Sequence, residues 1–238
     1  MEVKLKIEQF LNVNKDEKKA EFYSKLIFTK YPILGIKTKS LEDFAKELLK
    51  EGVDVKDIPL VFHEEIVLAG FMIAFSKESA ECRIEKFKYL LPYIDNWGSC
   101  DMIVGRLKNL EGQKDFFVSL LDSDNVYTVR VGIIWLFKFA MKDDVNLVFD
   151  LLSKIDCEKW DKKSKTISSK VFPSYYVKMA IAWCYSEACI YDFDFMYNKL
   201  LNMNDKFIKL KTVQKACESY RIDAEKKEKL KSLRKKSN

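Results

Sequence analysis

Trp97 and Asp101, in the segment IDNWGSCD at 94–101, pair an indole with a carboxylate four residues apart. On a helix that spacing puts both side chains on one face. Asn96 just before them suits an N-cap, and a carboxylate in the first turns is favoured by the helix macrodipole and stays ionised. Two readings remain open: plain stabilisation of the helix, or an anion waiting for a cationic partner. Arg130 lies in VYTVRVGIIWLFKFA, a stretch apolar nearly all round. A guanidinium there is costly unless it meets a carboxylate of a neighbouring helix or a phosphate. SYYVKMAIAWCYSEA begins with Ser174 as a candidate N-cap and is apolar apart from Lys178 and its end at Glu187. Its Trp183 fits core packing at least as well as a ligand-facing role.

Other chemistries are excluded by what the chain lacks. It has one histidine, His63, which leaves out most His-based metal sites and Ser-His nucleophiles. Its six cysteines include one close pair, Cys184 and Cys189, at helix spacing without a companion pair for zinc. No metal and no cofactor are expected. The first ten residues carry scattered charges rather than an apolar signal region, and no apolar run approaches membrane-spanning length. A cytoplasmic protein with reduced thiols and no membrane partner is expected.

The elements that must position these residues are helical. Of 238 residues 48% are apolar and 33% charged, and only seven are glycine and four proline, too few to punctuate a sandwich or barrel. Helical periodicity predicts helices over about 2–11, 15–30, 40–51, 56–75 with a break, 77–90, 97–109, 113–121, 125–141, 144–154, 174–190, 192–202, 206–219 and 223–235. Ser40 and Asp43 are spaced like a capping box at the start of the third. Connections such as Asp122-Ser123-Asp124 are short and polar, which implies antiparallel neighbours stacked in succession. The expected fold is all-α, a curved superhelix of HEAT-like antiparallel helix pairs. One such domain is expected to span 1–238. Residues 222–238 would form a basic C-terminal helix or tail, with seven basic side chains against Asp223, Glu225 and Glu228. Trp160 to Pro173 reads as an exposed loop carrying Lys162, Lys163, Lys165 and Lys170, suited to a solvated linker or to phosphate contacts. The net charge of +6 permits a polyanionic partner without requiring one.

Five segments taken together resemble the AlkD-type DNA alkylation repair family: YPILGIKT at 31–38, IDNWGSCD at 94–101, NVYTVRVGIIW at 125–135, YYVKMAIAW at 175–183 and QKACESYRI at 214–222. Order and spacing match as well, from about Phe22 to Ile222. The resemblance implies HEAT-like repeats holding duplex DNA in a concave basic groove. It implies a monofunctional glycosylase that removes cationic bases such as 3-methyladenine and 7-methylguanine without flipping them. Catalysis would fall to Asp101, Trp97 and Trp183, and DNA contacts to Arg130 and Lys178. Duplex DNA containing alkylated bases would be the only partner, met by a monomer. The chain departs from relatives after the GIKT-like turn, where Ser40, Leu41, Glu42 and Asp43 replace basic residues, and between Trp97 and Asp101, where Gly98, Ser99 and Cys100 are small. The alternatives are a HEAT-like module that binds damaged or branched DNA without catalysis, and a helical scaffold for another protein.

Overall fold

The computed structural model describes residues 2–163 and 172–235, and every regular element among them is helical. The chain divides into two compact units, Met1–Lys114 and Asp115–Asn238.

In the first unit, α1 (Glu2–Asn14), α2 (Glu17–Leu26), α3 (Thr38–Lys50), α4 (His63–Phe75), α5 (Ala80–Leu90) and α6 (Trp97–Val104) follow one another. α4 is the core, buried from His63 to Ile73, and α3, α5 and α6 pack on it. α3 presents Leu41, Phe44, Ala45 and Leu48 at helical spacing, and Phe44 stacks on Phe10 of α1 at 3.9 Å. α3 begins at Thr38, two residues before the expected capping box, with Lys37 at its N-cap and no side-chain cap. α2 and α6 stop short of their expected ends, at Leu26 and Val104.

A buried carboxylate organises the segment between α2 and α3. Glu64 sits at the start of α4 and accepts backbone N–H groups from Leu34 at 3.0 Å, Gly35 at 2.7 Å and Ile36 at 3.4 Å. A buried carboxyl group is tolerated in an apolar interior when several amides hydrogen-bond it, and those amides lose their freedom in return. The turn so fixed puts Gly35 at φ +77, where its missing side chain lets the main chain lie against the first turn of α2. Asp16 N–H donates to the Leu34 carbonyl at 2.9 Å across that contact. α2 buries none of its own side chains, so this backbone contact takes the place of a packed face.

The second unit comprises α7 (Lys114–Ser119), which starts at the boundary, α8 (Val126–Phe139), α9 (Val145–Ser153), α10 (Glu158–Lys163), α11 (Tyr175–Tyr191), α12 (Phe193–Leu201), α13 (Lys206–Glu218) and α14 (Ala224–Lys235). α8 and α11 are the interior pair, and α11 also packs on α9, α12 and α13. Trp135 of α8 lies flat on Phe117 of α7, rings 4.3 Å apart and 2° from parallel. α10 occupies the beginning of the expected Trp160–Pro173 loop because Trp160 is buried there, its indole donating to the Asp124 carbonyl at 2.7 Å. Lys165 and Lys170 lie outside the described residues. The basic C-terminal segment is a docked helix, with Leu230 and Leu233 of α14 buried against the rest of the unit.

Gly35→Ala should destabilise the chain by about 2 to 3 kcal/mol in urea denaturation, because a Cβ would strain the left-handed φ and lie 2.3 Å from the Asp16 carbonyl oxygen. A change within measurement error would mean that the turn is not held as described.

Candidate functional site

The sequence-predicted residues fall into three places. Trp97 and Asp101 are together in the first unit. α6 carries both and is pinned along its length. Asn96 caps it, accepting the Ser99 N–H at 2.9 Å. Asp95 accepts the Thr29 hydroxyl at 2.7 Å and the Lys30 N–H at 2.8 Å, tying the start of α6 to the segment after α2. Midway, Gly70 of α4 lets Ile103 approach to where a Cβ would stand, 2.4 Å from its Cγ1. Beyond the C-terminus Arg106 donates to Glu42 of α3 and, at 2.7 Å, to the Met102 carbonyl. Glu42, one of the acids replacing basic residues after the GIKT-like turn, thus has a structural role.

The Trp97 indole N–H donates to the Leu26 carbonyl at the end of α2, at 3.3 Å. The ring and the Asp101 side chain both line a cavity of about 200 Å³. Leu26, Ile27, Ile36, Leu41, Val67 and Met102 make most of its wall apolar, and Tyr23, Thr38, His63, Glu64 and Gly98 complete it. His63 is buried with its Nδ1 3.4 Å from Asn96 Nδ2. Burial holds its pKa below the ordinary 6.5, outweighing Glu64 and Asp95, which favour the charged form. A carboxylate on the wall of an apolar cavity beside an indole face is suited to holding a cation.

In the second unit Arg130 is buried, and its Nη1 donates to the Tyr176 carbonyl in the first turn of α11 at 2.7 Å. A main-chain carbonyl is therefore among its partners, and the contact fixes where α11 starts. Ser174 stands at the N-cap position, but its hydroxyl donates to Asp161 at 2.6 Å instead of capping α11. Lys178 pairs with Asp205 at 2.9 Å. Burial would lower its pKa, and the Asp205 hydrogen bond overrides that and raises it. Trp183 is five residues further along α11, about 140° round the helix, so the two side chains do not share a face. The Trp183 ring packs on Phe137 at 4.8 Å, with Lys138 Nζ 5.1 Å and Lys215 Nζ 5.8 Å from its centroid. It lines an open hollow with Tyr220 and Arg221, the latter paired with Glu187. Tyr220 is 93% exposed. The hollow also has Glu187 and Glu218 on its wall, so the two ammonium groups near the indole share it with carboxylates.

The profile of the family described as DNA alkylation repair enzyme matches residues 7–158, more than half of the chain. The chain belongs to the DNA alkylation repair enzyme family. No curated protein matches it. The family match takes in Trp97, Asp101 and Arg130 and ends before Lys178 and Trp183. It also supplies a role in DNA repair for a chain in which, among the described residues, no helix is long and apolar enough to cross a membrane.

Sequence reasoning overlooked Glu64, Asp95, Lys138 and Lys215 in this family member. A signal existed for two of them: Glu64 and Lys138 are charges at the edges of apolar helices, the feature that drew attention to Arg130. For Lys215, only proximity in the folded chain reveals the role.

Below the ordinary 6.5 the unfolded chain protonates His63 while the folded one resists, so stability should rise with pH through that window. Just below 6.5 the contribution should have a slope of at most about 1.4 kcal/mol per unit and it should level off above, and His63→Gln should flatten it in denaturation at stepped pH. An unchanged slope in the variant would contradict the burial of a neutral imidazole.

Proposed function

We propose that this protein is a monofunctional DNA glycosylase that hydrolyses the N-glycosidic bond of cationic N-alkylated purines, 3-methyladenine and 7-methylguanine, in duplex DNA. The observation that carries the reading is the shared cavity wall of Trp97 and Asp101 in a member of a DNA alkylation repair family.

Alkylation has already given the base a positive charge, so it leaves with the electron pair of the bond to C1′ and becomes neutral without an acid to protonate it. That chemistry requires neither a histidine nor a metal. The sugar becomes oxocarbenium-like as the bond breaks, and the Asp101 carboxylate stabilises that charge and orients a water, whose oxygen bonds to C1′ as its proton passes to bulk water. The faces of Trp97 and Trp183 each attract a cation by about 0.5 to 2 kcal/mol, so Asp101 carries the larger share. On this reading the two units act as one domain over 1–238, their helix pairs forming a curved HEAT-like superhelix with duplex DNA in its concave groove.

Affinity comes from phosphates. Arg130 and Lys178 belong to this reading as DNA contacts, and the geometry around Trp183 adds Lys138 and Lys215, whose ammonium groups near that ring can meet a phosphate. Asp205 occupies part of the donor capacity of Lys178, and an approaching phosphate would use the remainder.

Asp101→Asn should lower single-turnover release of methylated base from alkylated duplex by about 100-fold or more while leaving affinity for an abasic-analogue duplex within about twofold. Lys138→Ala and Lys215→Ala should each weaken binding and reduce the salt slope by about one. Release by Asp101→Asn at the wild-type rate would remove the carboxylate from the mechanism. Binding by the wild type with no release would favour a non-catalytic DNA-binding module.

A further inference from the structure

We propose that Tyr220 is a non-ionic grip on duplex DNA, its ring packing on the deoxyribose face of a strand that lies across the Trp183 hollow. This rests on the glycosylase reading, which brings DNA to that hollow, and adds a binding residue to it. Three observations support it. The first is where the ring stands. Tyr220 is 93% exposed in the turn between α13 and α14, yet it lines the same hollow as the half-buried Trp183. A single exposed aromatic residue is ordinary on a surface, whereas two around one hollow form a surface suited to a ligand.

The second is how firmly the turn is held. Ser219 N–H donates to the Ala216 carbonyl at 3.2 Å, and the Ser219 hydroxyl accepts the Arg221 N–H at 3.3 Å. Arg221 pairs with Glu187 of α11, Ile222 is buried, and Asp223 accepts the Lys226 N–H at 2.8 Å where α14 begins. The main chain on both sides of Tyr220 is thus fixed while the ring stays in solvent. Packing within the unit does not account for an aromatic side chain there, and a ligand meeting it has little backbone freedom to arrest.

The third is the charge around the hollow. Lys215 and Arg221 are matched there by Glu187 and Glu218, Glu187 held by Arg221 and Glu218 accepting the Gln214 amide at 3.0 Å. The pull of the ammonium groups on a polyanion is partly offset, so an aromatic face adds affinity that charge does not supply. Base faces in a duplex are covered by their stacked neighbours. A ring approaching from outside therefore meets deoxyribose, whose C–H groups face the negative side of its π system. The phenol hydroxyl is not needed for that contact.

The experiment follows binding of the full chain to a duplex with one abasic analogue by fluorescence anisotropy, over about 50 to 200 mM salt, for the wild type, Tyr220→Ala, Tyr220→Phe and Lys215→Ala. Thermal unfolding midpoints of the Tyr220 variants should match the wild type, because the ring is exposed. Tyr220→Ala should weaken binding about three- to tenfold at every salt concentration while keeping the wild-type salt slope. Tyr220→Phe should bind within about twofold of wild type, and Lys215→Ala should lower the slope by about one. With protein in saturating excess, Tyr220→Ala should release methylated base at the wild-type single-turnover rate. Wild-type affinity in Tyr220→Ala, a loss that disappears as salt rises, or an equal loss in Tyr220→Phe would each overturn the contact. Weaker binding by Tyr220→Ala in a protein whose wild type releases no base would sink the glycosylase reading and leave the grip standing.

Discussion

The first unit depends on one buried carboxylate. Glu64 holds the amides of residues 34–36, that turn sets Gly35 against the start of α2, and the far end of α2 supplies the carbonyl that the Trp97 indole bonds. Three links of hydrogen bonding and backbone contact thus run from the core helix to the residue placed beside Asp101. Removing the carboxylate would strand several donors in an apolar interior, a loss larger than that of an exposed ion pair. The GIKT-like segment accordingly serves to build the site's frame, and in the helix that follows Glu42 holds Arg106 and Asp43 holds Lys39.

In the second unit the organising cation is Arg130. It is buried between α8 and α11 and binds the α11 main chain at Tyr176, so the helix that carries Lys178 and Trp183 starts at a fixed point. A conformationally fixed helix then offers two environments on two faces. One is a closed ion pair with Asp205, and the other an open aromatic surface edged by Lys138 and Lys215. On the open surface the two ammonium groups lie near a π face, whereas Lys178 is held by a carboxylate at 2.9 Å.

What was legible in the sequence was what local chemistry dictates. Helical periodicity located the helices, and Asn96 announced the start of α6. Trp97 and Asp101 share a cavity because i and i+4 share a face. The α3 start was misplaced because a Ser-x-x-Asp pattern occurs within the helix as readily as before it, and tertiary packing of Leu41 and Phe44 let the helix extend back to Thr38. α10 was missed because burial of Trp160 under the Asp124 carbonyl is a contact between distant residues. The same holds for Glu64, whose partners are about thirty residues away, and for Lys215 over Trp183. Three of the five family-like segments, at 31–38, 94–101 and 125–135, lie within the family match, and folding was needed to show that Gly98 lines a cavity with Trp97 and Asp101.

The most direct test of the account follows the atoms of the reaction. A duplex with a single 7-methylguanine, incubated with the protein in water labelled with heavy oxygen, is resolved by mass spectrometry into free base and DNA strand. The account predicts free 7-methylguanine, an uncut strand with an abasic sugar, and one heavy oxygen at its C1′. A cleaved strand, a base that stays attached despite bound protein, or a sugar without the label at first turnover would contradict it.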